Sequence, residues 1–230
     1  MNKKLIEVAI PLEAINKESS REKSIRHGHP STLHMWWARR PLATARAVIF
    51  ASLVDDPSSH PELFPTEEEQ QRERSRLFHI IEQLIVWENS NNNTIIDLAK
   101  EEIEKYTKQP VEFLDPFSGG GAIPLEASRL GLKTHAHDLN PVSVIINKSM
   151  IEIPSKVNDY SPINPTSVNN RFNETYKGIQ GLTEDLRYYG QLLKNITWEV
   201  VKDHYPPLNL EGNNKKVIAW IWSRTIVCPN

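Results

Sequence analysis

Cysteine is nearly absent from the 230 residues, with Cys228 alone. One thiol excludes an intramolecular disulfide framework and cannot by itself make a tetrahedral zinc site. No uninterrupted apolar run is long enough to cross a bilayer, and the N-terminal apolar run is soon broken by Glu7 and Glu13, so neither a membrane span nor a signal peptide is expected. That pattern reads as a cytoplasmic chain. Net charge is also lacking, at −2, which removes any global electrostatic footprint for nucleic acid and leaves only local basic patches. No internal repeat is present. The apolar share of 39% and charged share of 24% are near those of globular proteins, and the length suffices for a substantial core.

Glycine is scarce too, at 9 residues, yet three stand together at Gly119, Gly120 and Gly121. Before them, residues 1–110 read as a helical region. A helix is expected to start at Pro41, with Leu42, Ala45, Val48 and Ile49 recurring on one face. Residues 55–74 hold three prolines and a dense acidic run and read as a surface connection or mobile insert. Apolar helical patterns resume over 77–87 and 95–106. Val111 to Leu114, bounded by prolines, reads as a buried parallel strand. Ala122 to Leu130 is then a helix, Thr134 to His137 a second strand and Pro141 to Met150 a second helix. Strand, glycine turn, helix, strand and acid form a βαβ unit over 111–155, and the expected fold is α/β. Residues 156–215 read as loop and a long helical insertion, and 216–230 as a β-segment with Trp220 and Trp222 on one face.

Three ligand classes fit a glycine turn between strand and helix. A phosphate loop would end in Gly-Lys-Ser/Thr, which is missing. A dinucleotide site would place a third glycine where Pro124 stands, and its pyrophosphate would lie near the carboxylate of Asp115. S-adenosylmethionine suits the charges better, since it carries an ammonium, a sulfonium and a carboxylate but no phosphate. Asp115 can attract the ammonium, and the N–H groups from Ser118 to Gly121 can take the carboxylate. Asp138, 23 residues after Asp115, can accept from both ribose hydroxyls, with Leu139 against the adenine.

The run Asp115-Pro116-Phe117-Ser118-Gly119-Gly120-Gly121 resembles the cofactor motif of amino-group DNA methyltransferases. More widely, REKSIRHGHPSTLHMWWARRPLATARAVIFASLVDDP, DPFSGGGAIPLEA and DLNPVSVIINK together resemble the adenine-specific DNA methylases that carry an inserted zinc ribbon. The resemblance covers most of residues 5–155 and returns in AWIWSRTIVCPN. It implies a Rossmann-like, S-adenosylmethionine-dependent methyltransferase fold, incomplete here and preceded by a helical extension. It also implies a DNA-modifying enzyme of a restriction or phage-defence system, with Phe117, Ser118, Gly119 and Gly121 contacting the cofactor. His29-Pro30 and Arg39-Arg40-Pro41-Leu42 would belong to the segment that helps enclose it. Arg21, Lys23, Arg26, Arg39, Arg40 and Arg46 concentrate positive charge in the same stretch, as a phosphate-contact face would.

The departure from that family concerns the chemistry. Its members hold the adenine amine with an Asp/Asn-Pro-Pro-Tyr/Phe tetrapeptide, and no such tetrapeptide stands in this sequence. No catalytic residue is therefore assigned. Cys228-Pro229-Asn230 matches the first step of the zinc ribbon, and no metal ligand set is complete in the chain. The expectation is a cofactor-binding part with little turnover alone, working on DNA with a further C-terminal part or partner subunit. A non-enzymatic assembly subunit and an RNA guanine methyltransferase, which shares DP-x-x-G-x-G loops, are the competing readings.

Overall fold

The computed structural model describes residues 2–107, 111–169, 175–205, 208–210, 212–215, 217, 219, 221 and 223–225. The chain forms two compact units, Met1–Lys156 and Val157–Asn230. The helical region and the βαβ unit, expected as separate segments divided at residue 110, thus share one unit, because they share one apolar core.

In the first unit α1 (Leu5–Val8) and α2 (Leu12–Glu22) lead into an irregular strap and then α3 (Leu42–Leu53). α3 is the centre of the core: Leu42, Ala43, Ala47, Phe50 and Ala51 are all buried. Helices α1, α2, α4 (Glu67–Ile85) and α5 (Asn93–Tyr106) pack around it with the crossover helix α6 (Ala122–Arg129). The alanines let neighbouring helices approach closely, and Leu77, Ile81, Leu84 and Ile103 fill the spaces between them.

Helix α4 corrects the expectation of a surface connection up to Arg74. It starts at Glu67, where Thr66 Oγ1 accepts from the Glu69 N–H at 3.3 Å while Glu69 Oε2 accepts from the Thr66 N–H at 3.0 Å. This reciprocal cap satisfies two otherwise orphaned donors, and the acidic first turn favours the positive end of the helix dipole. The polar run is helical because Glu, Gln and Arg are good helix formers.

Strand β1 (Glu112–Asp115) pairs in parallel with β2 (Lys133–Ala136), in the register Glu112↔Lys133 to Asp115↔Ala136, and α6 connects them. The alternation puts Phe113 on the face toward the core cluster, whereas Leu114 is 61% exposed. The expected buried strand is therefore half-buried, since the helical bundle covers one face of this two-stranded sheet. Helix α7 (Pro141–Asn147) continues through a π-helical stretch, Lys148–Glu152, into α8 (Ile153–Lys156).

The second unit holds α9 (Pro165–Asn169) and the long α10 (Gln180–Val201), close to the helical candidate over 176–204. The Asp185 carboxylate ties α10 to the preceding loop by accepting from the N–H groups of Ile163 and Asn164. An antiparallel pair, β3 (Leu208–Leu210) with β4 (Asn213–Lys215), lies where only loop and helix were expected. Of the β-segment expected over 216–230, the described residues 217, 219, 221 and 223–225 are in no strand. Trp220, Trp222, Cys228, Pro229 and Asn230 lie outside the described residues. No helix among the described residues is long and apolar enough to cross a membrane.

Candidate functional site

The glycine turn sits at the carboxyl end of β1, where Asp115 Oδ1 accepts from the Phe117 N–H at 3.0 Å. Gly119 and Gly121 have φ of +50° and +76°, left-handed values that a side chain would strain. Gly121 is also the N-cap of α6, and Pro124 in the first turn of that helix gives up no needed N–H. Close packing is a second reason for the glycines. A Cβ on Gly119 would stand 2.6 Å from Trp36 Nε1, one on Gly120 2.8 Å from Trp36 Cβ, and one on Gly121 2.6 Å from Asn147 Oδ1.

The turn is tied to β2 and α7. Ser118 N–H donates to the His137 carbonyl at 2.9 Å, Gly119 N–H to Asp138 Oδ2 at 2.8 Å and Gly121 N–H to the Ser118 carbonyl at 2.8 Å. Three N–H groups that the sequence reading offered to a ligand carboxylate are thus used within the protein. The Gly119 carbonyl accepts from Ser143 Oγ and, at 3.1 Å, from Asn147 Nδ2. Asp138 Oδ1 accepts from the Asn140 N–H at 2.8 Å. Hydrogen bonds from Asn140, then Gly119, hold the Asp138 carboxyl below the usual aspartate range. Phe117 and Leu139, at 87% and 100% exposure, stand free beside this network.

A cavity of about 440 Å³ opens against the turn, lined by Asp115, Phe117, Ser118, Gly119 and Gly120 on one side. The other side comes from α2 and the strap and includes His29, Pro30, Trp36, Trp37, Arg39 and Arg40. The structure therefore brings His29-Pro30 and the arginine pair to the glycine turn, far from it in sequence. Gly121, Asp138 and Leu139 are not part of that lining; Asp138 reaches it only through its bond to the Gly119 N–H.

The strap is fixed by Glu22, a residue that sequence reasoning missed. Its Oε1 and Oε2 accept from the N–H groups of Leu42 and Ala43 at 3.0 and 3.1 Å, capping α3 from another helix. Glu22 Oε1 is also 2.8 Å from His29 Nε2. His29 Nδ1 accepts from the Ser31 N–H at 3.1 Å, which leaves Nε2 as the nitrogen that donates to Glu22. His29 is buried beside Trp87, ring centroids 5.0 Å apart, so both its polar atoms serve the wall of the cavity. Glu22 lies within the block quoted for the family resemblance, but no local pattern there gives it a role.

Behind the turn, Arg46 Nε lies 3.0 Å from Glu126 Oε2, both side chains buried, and Arg46 Nη1 donates to the Leu84 carbonyl at 2.6 Å. Arg129 Nη1 holds Glu126 Oε1 at 2.6 Å. Burial lowers Arg46 and raises Glu126, against the attraction between them. Of the six cations expected on a phosphate-contact face, Lys23, Arg39 and Arg40 line the cavity and the other three are engaged within the protein. Arg46 is in the core, Arg21 is engaged by Glu88 and Glu18, and Arg26 donates to the Lys23 carbonyl.

A family model described as a protein of unknown function (DUF1156) matches residues 9–80. That span carries α2, the strap, α3 and the first part of α4, and so one side of the cavity but not the glycine turn. No curated protein and no solved structure matches the chain.

Proposed function

We propose that this chain is the S-adenosylmethionine-binding part of an adenine-specific DNA methyltransferase, with β1, α6 and β2 belonging to a Rossmann-like sheet. One observation carries the reading. Asp115 and Asp138 stand at the carboxyl ends of two adjacent parallel strands, on either side of a glycine turn that opens onto a cavity of about 440 Å³. In α/β sheets ligands gather at those ends of the strands. Two carboxylates there disfavour a pyrophosphate and suit an ammonium and ribose hydroxyls.

When bound, the cofactor supplies an electrophilic methyl group. Asp115 would attract its ammonium, and Asp138, already accepting from Gly119 and Asn140 and flanked by Ser143 and the Leu139 N–H, would accept from the ribose hydroxyls. The amino end of α6 receives the carboxylate, in place of the N–H groups already bonded within the turn. Phe117 and Leu139 offer apolar surface to the adenine, while Ser118 and Gly121 hold the turn and His29 and Pro30 form the facing wall. The tetrapeptide that would hold the target amine is not in this chain, so its partner is a further C-terminal part or subunit, with DNA bound by the complete enzyme. The setting is a cytoplasmic restriction or phage-defence system.

Calorimetric titration of S-adenosylmethionine into the purified chain tests this, beside Asp115→Ala and Asp138→Ala. Saturable binding by the parent that both variants lose is expected. A folded parent that takes up none overturns the reading. Methyl uptake by DNA should be negligible with the chain alone, and robust methylation would refute the assignment of chemistry to a partner.

A further inference from the structure

On the strap between α2 and α3, adjacent tryptophans have opposite surroundings. Trp36 lies against Gly119 and Gly120, whereas Trp37 is 94% exposed and its neighbour Met35 80% exposed. An indole left in water forgoes a large apolar stabilisation, so a nearly bare one on the lip of a cavity marks a surface that is covered in use. The cations beside it lack carboxylate partners, as Arg26, Arg72 and Arg224 do elsewhere among the described residues. Arg21, Arg46, Arg74, Arg76, Arg129 and Arg187 each have a carboxylate within ion-pair distance. Arg39 and Arg40 have none among the described residues, although both line the same cavity as Trp37, and neither does Lys23.

From this juxtaposition we infer that residues 35–40 are a contact for unpaired DNA, with Trp37 stacking on a base and Arg39 and Arg40 holding the flanking phosphates. The inference rests on the methyltransferase reading for the choice of DNA and deepens it by giving the strand a path along the cavity lip. Exposed aromatic faces interleaved with cations are what a single strand recognises, since every base has a π-face and every nucleotide a phosphate. Two adjacent guanidinium groups without carboxylate partners suit a chain of phosphates, whereas a protein surface, at which tryptophan and arginine are also enriched, would leave the single strand unbound in the test below. A base inside a duplex has both faces occupied by its neighbours and offers none to Trp37, so the strand is unstacked where it meets the strap. The same lip reaches Asp115 and Gly119, which puts the stacked base beside the cofactor turn.

Fluorescence anisotropy with a labelled single-stranded oligodeoxynucleotide decides the matter, run beside the same sequence as duplex and as RNA. The parent should bind the single strand more tightly than the duplex. Trp37→Ala should weaken binding by about 5- to 150-fold, the range for losing one stacked base, and Trp37→Phe should restore most of it. Arg39→Gln with Arg40→Gln should reduce the slope of log affinity against log salt by about 1.4, the value for two phosphates on a single strand. Three results would overturn the inference: no saturable binding by the parent, an unchanged Trp37→Ala variant, or an unchanged salt slope. Preference for the duplex or for RNA would overturn it as well. The cofactor titration of the parent separates the two readings. Uptake of S-adenosylmethionine without Trp37-dependent DNA binding removes the strap and keeps the cofactor site, and the converse removes the cofactor site.

Discussion

Gly119 N–H donates to Asp138 Oδ2 at 2.8 Å, so the carboxylate that closes β2 also holds the glycine turn at the end of β1. One oxygen faces Gly119 and the other faces Asn140, and an amide nitrogen cannot accept in either place. Asp138→Asn should therefore loosen the turn and weaken S-adenosylmethionine by roughly tenfold or more, the scale of a lost charge-assisted hydrogen bond. Calorimetry measures the affinity, and amide hydrogen exchange at the turn measures the loosening.

Gly120 has an ordinary backbone but no room. A methyl group there would meet Trp36 Cβ at 2.8 Å and Cγ at 3.1 Å. Gly120→Ala should push the indole off the turn and cost about 1–3 kcal/mol, the range for overpacking. Tryptophan emission and a denaturant titration would report it. Adding Trp36→Ala should recover part of the loss, giving a non-additive double-mutant cycle.

Glu22 combines two duties, capping α3 through Leu42 and Ala43 and accepting from His29. Glu22→Gln keeps one oxygen and loses the other, so about 2 kcal/mol of stability should go, from the weakened cap and the strained histidine contact. His29→Ala leaves the cap intact and should cost less. Urea unfolding of both variants orders the two contributions.

His60 Nε2 lies 2.9 Å from Asp55 Oδ2 and Nδ1 3.0 Å from Glu62 Oε1. Burial works to lower the imidazole, but the two carboxylates outweigh it, and His60 is raised above its ordinary 6.5. A raised histidine stabilises the fold fully below the unfolded value. That contribution then fades as pH rises from about 6.5 through the higher folded value. Stability measured by urea should fall over that window in the parent and stay flatter in His60→Gln.

Removing one member of the Arg46–Glu126 pair leaves a charge in the core. Arg46→Met alone leaves the buried Glu126 with Arg129 as its remaining partner and should cost about 3 kcal/mol, whereas adding Glu126→Leu, which leaves the partly exposed Arg129 to water, should recover much of it. Thermal unfolding of the single and double variants separates these outcomes.

Local pattern carried the segments that obey one rule each. Pro41 with the apolar face behind it made α3 legible, and the change of period at Val111 followed by three glycines made β1 and α6 legible. The start of α4 was also written locally, in Thr66 and Glu69, but the prolines and acids around it read as punctuation. What stayed hidden depends on contacts between distant residues. The exposure of Leu114 reflects which face of the sheet the bundle covers, and the role of Glu22 depends on His29 and Leu42 meeting it from beyond the helix. For the site, the carboxylates and glycines were readable because their spacing follows the βαβ unit. The use of the turn's own N–H groups was not, since it depends on how β2 and α7 dock.

Arg46 clamps α6 to the helical bundle through Glu126, while the sheet that shares the turn with α6 has one face open. The glycine turn is thus tied to the bundle through α6. The facing strap is anchored independently, by the Glu22–His29 contact at one end and by Pro41 at the start of α3 at the other, so the two walls of the cavity are held by separate parts of the bundle.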